Sequence, residues 1–177
     1  SQSKILNSIG EDSVLNNVLT LSFPKNITPV HFIKLYLFDE NDKEVASSFY
    51  WRSTNKYEGS KTMTGPATAG FEPLQTMKTT SVNTQYAVGK KNNTYSINAN
   101  IKNPTKRITF FIQVELLDKG GKPVRPSFYT DNFFSLLPGE SKHITIETNE
   151  DAVLSSTLVV KGWNIRPEKY LLNNIEN

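Results

Sequence analysis

The 177-residue chain carries a net charge of +3, is 37% hydrophobic and 21% charged, and takes 51 residues from Asn, Thr and Ser, a globular composition that suits turns and strands better than helix interiors. It has no cysteine and only two histidines, His31 and His143, which excludes a disulfide scaffold, thiol catalysis, a cysteine-based metal site and a multi-histidine centre, so no cofactor or metal is expected. The positive excess forms no basic stripe and no apolar run nears the ~20 residues of a membrane helix, so neither nucleic acid nor a membrane is an expected partner.

Taken in chain order, the first strand signal is 18–23, with Leu19, Leu21 and Phe23 alternating. Residues 30–38 alternate again, placing Ile33, Leu35 and Leu37 on one side. The polar run 39–44 is a turn, and 45–51 returns with Val45, Phe49 and Trp51 on a common face. The acidic cluster in that turn (Asp39, Glu40, Asp42, Glu44) lacks the glycine and terminal bidentate glutamate of a helix–loop–helix calcium site and reads as a solvated hairpin end. Residues 55–84 then lose all period and read as a long polar connector, which places a boundary there.

From residue 85 the strand pattern resumes. Gln85 to Val88 comes first, followed by Tyr95, Ile97, Ala99 and Ile101, a stop at Asn103-Pro104, and the apolar face of Ile108, Phe110, Ile112, Val114 and Leu116. A Gly-Gly turn at 120–121 precedes a proline-interrupted edge candidate at 124–130. Strands at 132–137, 142–147 and 157–163 complete a set of seven, the count and spacing of an immunoglobulin-like sandwich. His143 falls out of phase with Ile144 and Ile146 and is expected to face solvent. The tail reads as a short helix from Pro167, with Tyr170, Leu171 and Ile175 on one face. The predicted fold is therefore all-β: a partial immunoglobulin-like unit over 1–54, the connector 55–84, a complete sandwich over 85–166 and a tail over 167–177.

Three clusters carry a resemblance: Phe49-Tyr50-Trp51-Arg52-Ser53-Thr54, Asp131-Asn132 with Leu137-Pro138-Gly139-Glu140-Ser141, and Gly162-Trp163-Asn164. In this order and spacing they resemble the C-terminal region of glycoside hydrolase family 2 enzymes, nearest the exo-β-glucosaminidase and β-mannosidase-like branch. Arg52 stands where that family usually has Leu. The resemblance implies a larger retaining hydrolase with two glutamates on a (β/α)₈ barrel, ~5–5.5 Å apart. This chain holds no repeated strand–helix units of a barrel. It is expected to be a non-catalytic fragment whose partner is the barrel of the same parent chain. The resemblance also favours a periplasmic or extracellular setting; Ser1 in place of Met reads as a processed or excised chain.

The aromatic residues leave an alternative open. Exposed rings stack on pyranose faces, so the chain reads secondarily as a carbohydrate-binding module, or as a surface adhesion module that pairs through strands. Trp51 and Trp163 sit at inward or strand-end positions where core packing is the expectation. Tyr50, opposite Trp51, and Phe111, opposite Phe110, are the candidates for interdomain docking or sugar contact, together with Arg52, Tyr57 and Phe71. Glu115, Asp118 and Asp131 are the carboxylates nearest the strong strands, and they are not expected to be catalytic.

Overall fold

The computed structural model describes residues 2–6, 10–54, 70–149 and 151–173. It divides into two compact units, Ser1–Gln75 and Thr76–Asn177.

In the first unit, β1 (Val30–Phe38) and β2 (Glu44–Ser53) form an antiparallel hairpin in the register Phe32↔Trp51, Lys34↔Phe49 and Leu37↔Ala46. Asp39 closes its turn. The carboxylate Oδ1 accepts the N–H groups of Asn41 and Lys43 at 2.9 and 3.0 Å, and Asp42 takes a left-handed φ of 58°. The acidic cluster is thus occupied with turn geometry, as expected of a hairpin end. One face stacks Phe32 on Phe49 at 5.7 Å, with Trp51 tilted beyond at 6.4 Å. Two strands cannot cover their own faces, so Trp51 is 44% exposed rather than core, a correction to its expected place. Residues 18–23 are also not a strand. Their alternation finds no ladder; Ser22 is instead met by the side chain of Gln2, and Phe23 packs edge-on against His31 at 5.4 Å.

The second unit is an antiparallel sandwich of two four-stranded sheets. Its strands are β3 (Asn83–Lys91), β4 (Thr94–Lys102), β5 (Thr109–Leu117), β6 (Phe128–Tyr129), β7 (Phe134–Leu136), β8 (Ser141–Thr148), β9 (Thr157–Gly162) and β10 (Ile165–Leu171). One sheet runs β10-β9-β5-β7 and the other β3-β4-β8-β6. Period-2 alternation turns Ile97, Ala99, Ile101, Ile144 and Ile146 of one sheet toward Ile112, Val114, Leu116, Leu158 and Val160 of the other, all at 0% exposure, while His143 faces solvent. Strand β10 replaces the helix expected over the tail. Tyr170 and Leu171 pair with Leu158 and Thr157, because a ladder to the existing β9 edge pairs one side of the segment, where a helix this short would leave most of its main-chain groups uncapped.

The β5 edge beyond Ile112 has no strand beside it for most of its length; side chains stand in for one. Asn132 accepts the Val114 N–H through Oδ1 and donates Nδ2 to the Val114 carbonyl, both at 2.8 Å. The Tyr129 hydroxyl accepts the Leu116 N–H at 3.0 Å, and Ser135 Oγ accepts that of Phe111 at 3.1 Å. Such plugging blunts an edge that would otherwise recruit foreign strands. Burial pushes the Tyr129 hydroxyl above its ordinary pKa of 10.0, against the Leu116 N–H and with the Glu115 charge. A raised pKa contributes stability that is complete below pH 10 and is lost as pH rises through the folded value. Tyr170 shifts in the same direction, again chiefly by burial. The unfolding midpoint of this unit is therefore expected to fall above pH 10. Tyr129→Phe removes part of that fall and costs about 1 kcal/mol at neutral pH, where the Leu116 N–H loses its acceptor. Urea melts of both proteins across pH 7–11 check this.

The β5–β6 turn repeats the device of the first hairpin. Asp118 Oδ1 accepts the N–H groups of Gly120 and Lys122 at 2.8 and 2.9 Å, and Gly121 takes φ 77° where Asp42 takes 58°. Aligned on these turns, residues 32–50 and 111–129 are identical at nine of nineteen positions: Phe32/Phe111, Ile33/Ile112, Leu37/Leu116, Asp39/Asp118, Lys43/Lys122, Val45/Val124, Ser48/Ser127, Phe49/Phe128 and Tyr50/Tyr129. The copies then diverge for a chemical reason. Pro123 and Pro126 stand where the first unit has Glu44 and Ser47, and proline has no N–H to give a ladder. The second copy keeps one bridge, Leu117↔Pro123, and crosses to pair β6 with β8.

Candidate functional site

Two phenylalanine pairs, Phe110-Phe111 and Phe133-Phe134, each bury one ring and expose the other. Phe110 and Phe134 are 3% and 9% exposed, whereas Phe111 and Phe133 are 38% and 50%. Strand β5 slips register against β7 between Thr109 and Ile112. At that slip Phe111 takes φ 56°, and Phe133 takes φ 58°, a left-handed conformation unusual for a bulky side chain. The two outward rings meet at 5.3 Å with planes 42° apart, and Phe110 lies 5.8 Å from Phe111.

The Gly162-Trp163-Asn164 turn supplies the third exposed ring. Trp163 is 55% exposed and stands edge-on to Phe110 at 6.4 Å. This corrects its expected core position: strand alternation ends at Gly162, and the ring leaves from the turn instead. The neighbours explain the turn. A Cβ on Gly162 would lie 3.1 Å from the Phe110 carbonyl oxygen and 2.9 Å from Ile165 Cδ1, so only glycine lets the hairpin close onto β5. Asn164 is 6% exposed. Its Oδ1 accepts the Phe110 N–H at 2.8 Å, and its Nδ2 donates to the carbonyls of Ile108 at 3.0 Å and Lys78 at 3.3 Å. The Trp163 N–H reaches the Phe110 carbonyl at 2.9 Å. Gly162 and Asn164 are thus the frame, and Phe111, Phe133 and the motif's own Trp163 are the exposed rings beside it.

Of the residues anticipated for contact, Tyr50 and Arg52 share one face of β2 and both are exposed. Phe71 is half-buried ahead of the 3₁₀ turn Glu72–Thr76, and Phe111 belongs to the second unit's patch. Tyr57 lies outside the described residues. Phe133 and Trp163 complete the patch and were not singled out by alternation.

The carboxylates have other partners. Glu115 is held by Lys161 Nζ at 2.7 Å and by the Gln113 amide at 2.8 Å, Asp118 closes its turn, and Asp131 pairs with Lys142. A shallow depression of about 220 Å³ between Gln113–Leu116 and Pro123–Tyr129 is lined by one of them, Glu115. Among the described residues no cluster of three or more His, Cys, Asp or Glu is placed to hold a metal.

Eight antiparallel strands in two layers, closed by a framed turn and carrying an aromatic patch, define an immunoglobulin-like sandwich. Comparison gives it a family. The exo-β-D-glucosaminidase Ig-fold domain matches residues 62–165, and the chain belongs to that family. It is 26% identical over 168 residues to an exo-β-D-glucosaminidase of Amycolatopsis orientalis, covering 89% of this chain and 16% of that one. It is 27% identical over 174 residues to that of Streptomyces avermitilis, covering 89% and 19%. The crystal structure of the Amycolatopsis orientalis exo-chitosanase CsxA shares the fold with a TM-score of 0.72 at 24% identity, over 87% of this chain and 19% of that one. The chain thus spans less than a fifth of the length of these relatives.

Proposed function

We propose that this chain is the non-catalytic immunoglobulin-like region of a family 2 glycoside hydrolase of the exo-β-glucosaminidase type, and that it supports the catalytic barrel of the same parent polypeptide. Residues 1–54 are then the closing strands of one immunoglobulin-like unit, which agrees with a hairpin that repeats part of the complete sandwich. The observation that carries the reading is the family match over residues 62–165, on a framework in which Glu115, Asp118 and Asp131 are engaged in turns and ion pairs. The parent acts as a retaining enzyme with its two glutamates outside this chain. Incubated with an aryl β-D-glucosaminide, the chain gives no turnover above buffer; hydrolysis abolished by Glu115→Gln would overturn the reading.

A polysaccharide-binding role is the competing reading, and the exposed rings are what favours it. The planes of Phe111 and Phe133 oppose it, standing 42° apart, where a sugar strip needs rings that lie flat together. The chain is accordingly expected to stay in the supernatant over insoluble chitosan; retention lost in Trp163→Ala would restore the binding-module reading.

A further inference from the structure

We infer that the β1–β2 face bearing Ile33, Leu35, Leu37 and Tyr50 is the inner face of a second sandwich. A β-sheet of the complete polypeptide closes it, and residues 18–23 of this chain are one of that sheet's strands. The inference rests on the reading above, that residues 1–54 close an immunoglobulin-like unit of a larger hydrolase, and adds which face is inner and what covers it.

The repeat selects the face. Ile33 stands opposite Tyr50, Leu35 opposite Ser48 and Leu37 opposite Ala46, so these side chains share one side of the hairpin. Leu35, Leu37 and Tyr50 are 37%, 49% and 50% exposed. Their counterparts in the second copy meet no water. Ile112, Val114 and Leu116, matching Ile33, Leu35 and Leu37, are 0% exposed, and Tyr129, matching Tyr50, packs against the same core. One hairpin pattern is thus covered by a second layer in one copy and open in the other. The opposite side carries Lys34 across from Phe49, a charge that suits solvent rather than an interior.

The chain ahead of β1 already reaches the inner side. Phe23 packs edge-on against His31 at 5.4 Å, and His31 stands opposite Arg52 at the end of that face. Leu19, Leu21 and Phe23 alternate with Thr20 and Ser22, the pattern of a strand with one buried side. Among the described residues no strand pairs with this segment, and a side chain stands in for one. The Gln2 amide donates to the Ser22 carbonyl and accepts its N–H, both at 3.3 Å. Asn132 makes the same two-bond contact to Val114 at the β5 edge. A main chain met in this way is a strand edge without its neighbour.

Area selects the occupant. Two strands of nine and ten residues present a face on the order of 300 Å². A stable contact between separate molecules needs about 800 Å² from each side, so a second copy of this chain is not held by this face alone. A sheet on the same polypeptide needs far less, because the linkage raises its effective concentration to about the millimolar range. The relatives carry more than four-fifths of their length beyond the region matched here, and that length supplies the remaining strands.

Hydrogen exchange and hydroxyl-radical oxidation provide the test, applied to this chain alone and to the complete polypeptide translated from its natural reading frame. In the complete polypeptide the amides of 18–23 are expected to exchange about a hundred-fold more slowly, as those of a laddered strand do. Oxidation of Tyr50 is expected to fall about five-fold as its ring leaves solvent. Either change without the other overturns the inference. Neither change, in a complete polypeptide that hydrolyses glucosaminides, overturns it and leaves the reading of the chain standing. A reading frame that encodes no catalytic domain overturns both. Protection that grows as the isolated chain is concentrated makes a second copy the occupant and also overturns the inference.

Discussion

Asn164→Ala is expected to lower the stability of the second unit by about 2–4 kcal/mol, far beyond the usual cost of a turn substitution. The side chain is 6% exposed and serves three main-chain groups, on Phe110, Ile108 and Lys78. Removing it leaves the Phe110 N–H and Ile108 carbonyl unpaired where water enters poorly, and each such group costs ~1–3 kcal/mol. Asn132→Ala removes a comparable pair of bonds to Val114, but that side chain is half-buried and water replaces part of what is lost, so the effect is about half as large. Asn164→Asp keeps the acceptor for Phe110 but sets a buried carboxylate oxygen against the Ile108 and Lys78 carbonyls; at neutral pH it should cost at least as much as Asn164→Ala. Native-state hydrogen exchange of β5 amides gives the free energies for this unit separately. Equal losses for the alanine variants at 164 and 132 would refute the claim that burial sets the ranking.

The sandwich was legible because apolar alternation survives wherever one face of a strand is buried. Ile97, Ala99 and Ile101 in β4, and Ile112, Val114 and Leu116 in β5, all lie inside as their spacing requires. Legibility failed where something other than burial chose the conformation. Pro167 and the spacing of Tyr170 and Leu171 suit a helix start, but β9 offers a ladder and local preference yields to it. Residues 18–23 alternate as well as β4 does, yet alternation says nothing about whether a partner strand is present. The two tryptophans were misplaced for the related reason that size and hydrophobicity speak for the core only when a second layer covers the position.

The aromatic patch was harder to see because it depends on interruptions of alternation. Phe110-Phe111 and Phe133-Phe134 are visible as pairs, but which ring points out is set by left-handed backbone at Phe111 and Phe133, residues that no propensity scale would place there. The repeat, in contrast, was written in plain view. Asp39 with Lys43 and Asp118 with Lys122 bracket equivalent turns, and Ser-Phe-Tyr follows each at 48–50 and 127–129. Reading each strand by its own periodicity hides this, since self-similarity shows only when segments 79 residues apart are laid side by side.

That repeat allows one substitution to be made twice in matched positions. Leu37 and Leu116 each sit two residues before the turn aspartate, but Leu116 is 0% exposed at the centre of the sandwich and Leu37 is 49% exposed. Leu116→Ala deletes methyl groups that no neighbour can replace and leaves a cavity between the sheets, at a cost of about 3–4 kcal/mol. For a domain of about 100 residues this lowers the unfolding temperature by roughly 12–25 °C. Leu37→Ala removes the same atoms from a face already half in water, for about 0.5–1 kcal/mol. Side-chain chemistry, strand position and turn are common to both, so the difference isolates the second layer as the source of stability. Hydrogen exchange at β1 and β5 measures the two losses in one protein. Comparable losses at the two leucines would mean that the hairpin of the first unit is covered to the same extent as β5, which is incompatible with the exposure of Leu37, Tyr50 and Trp51.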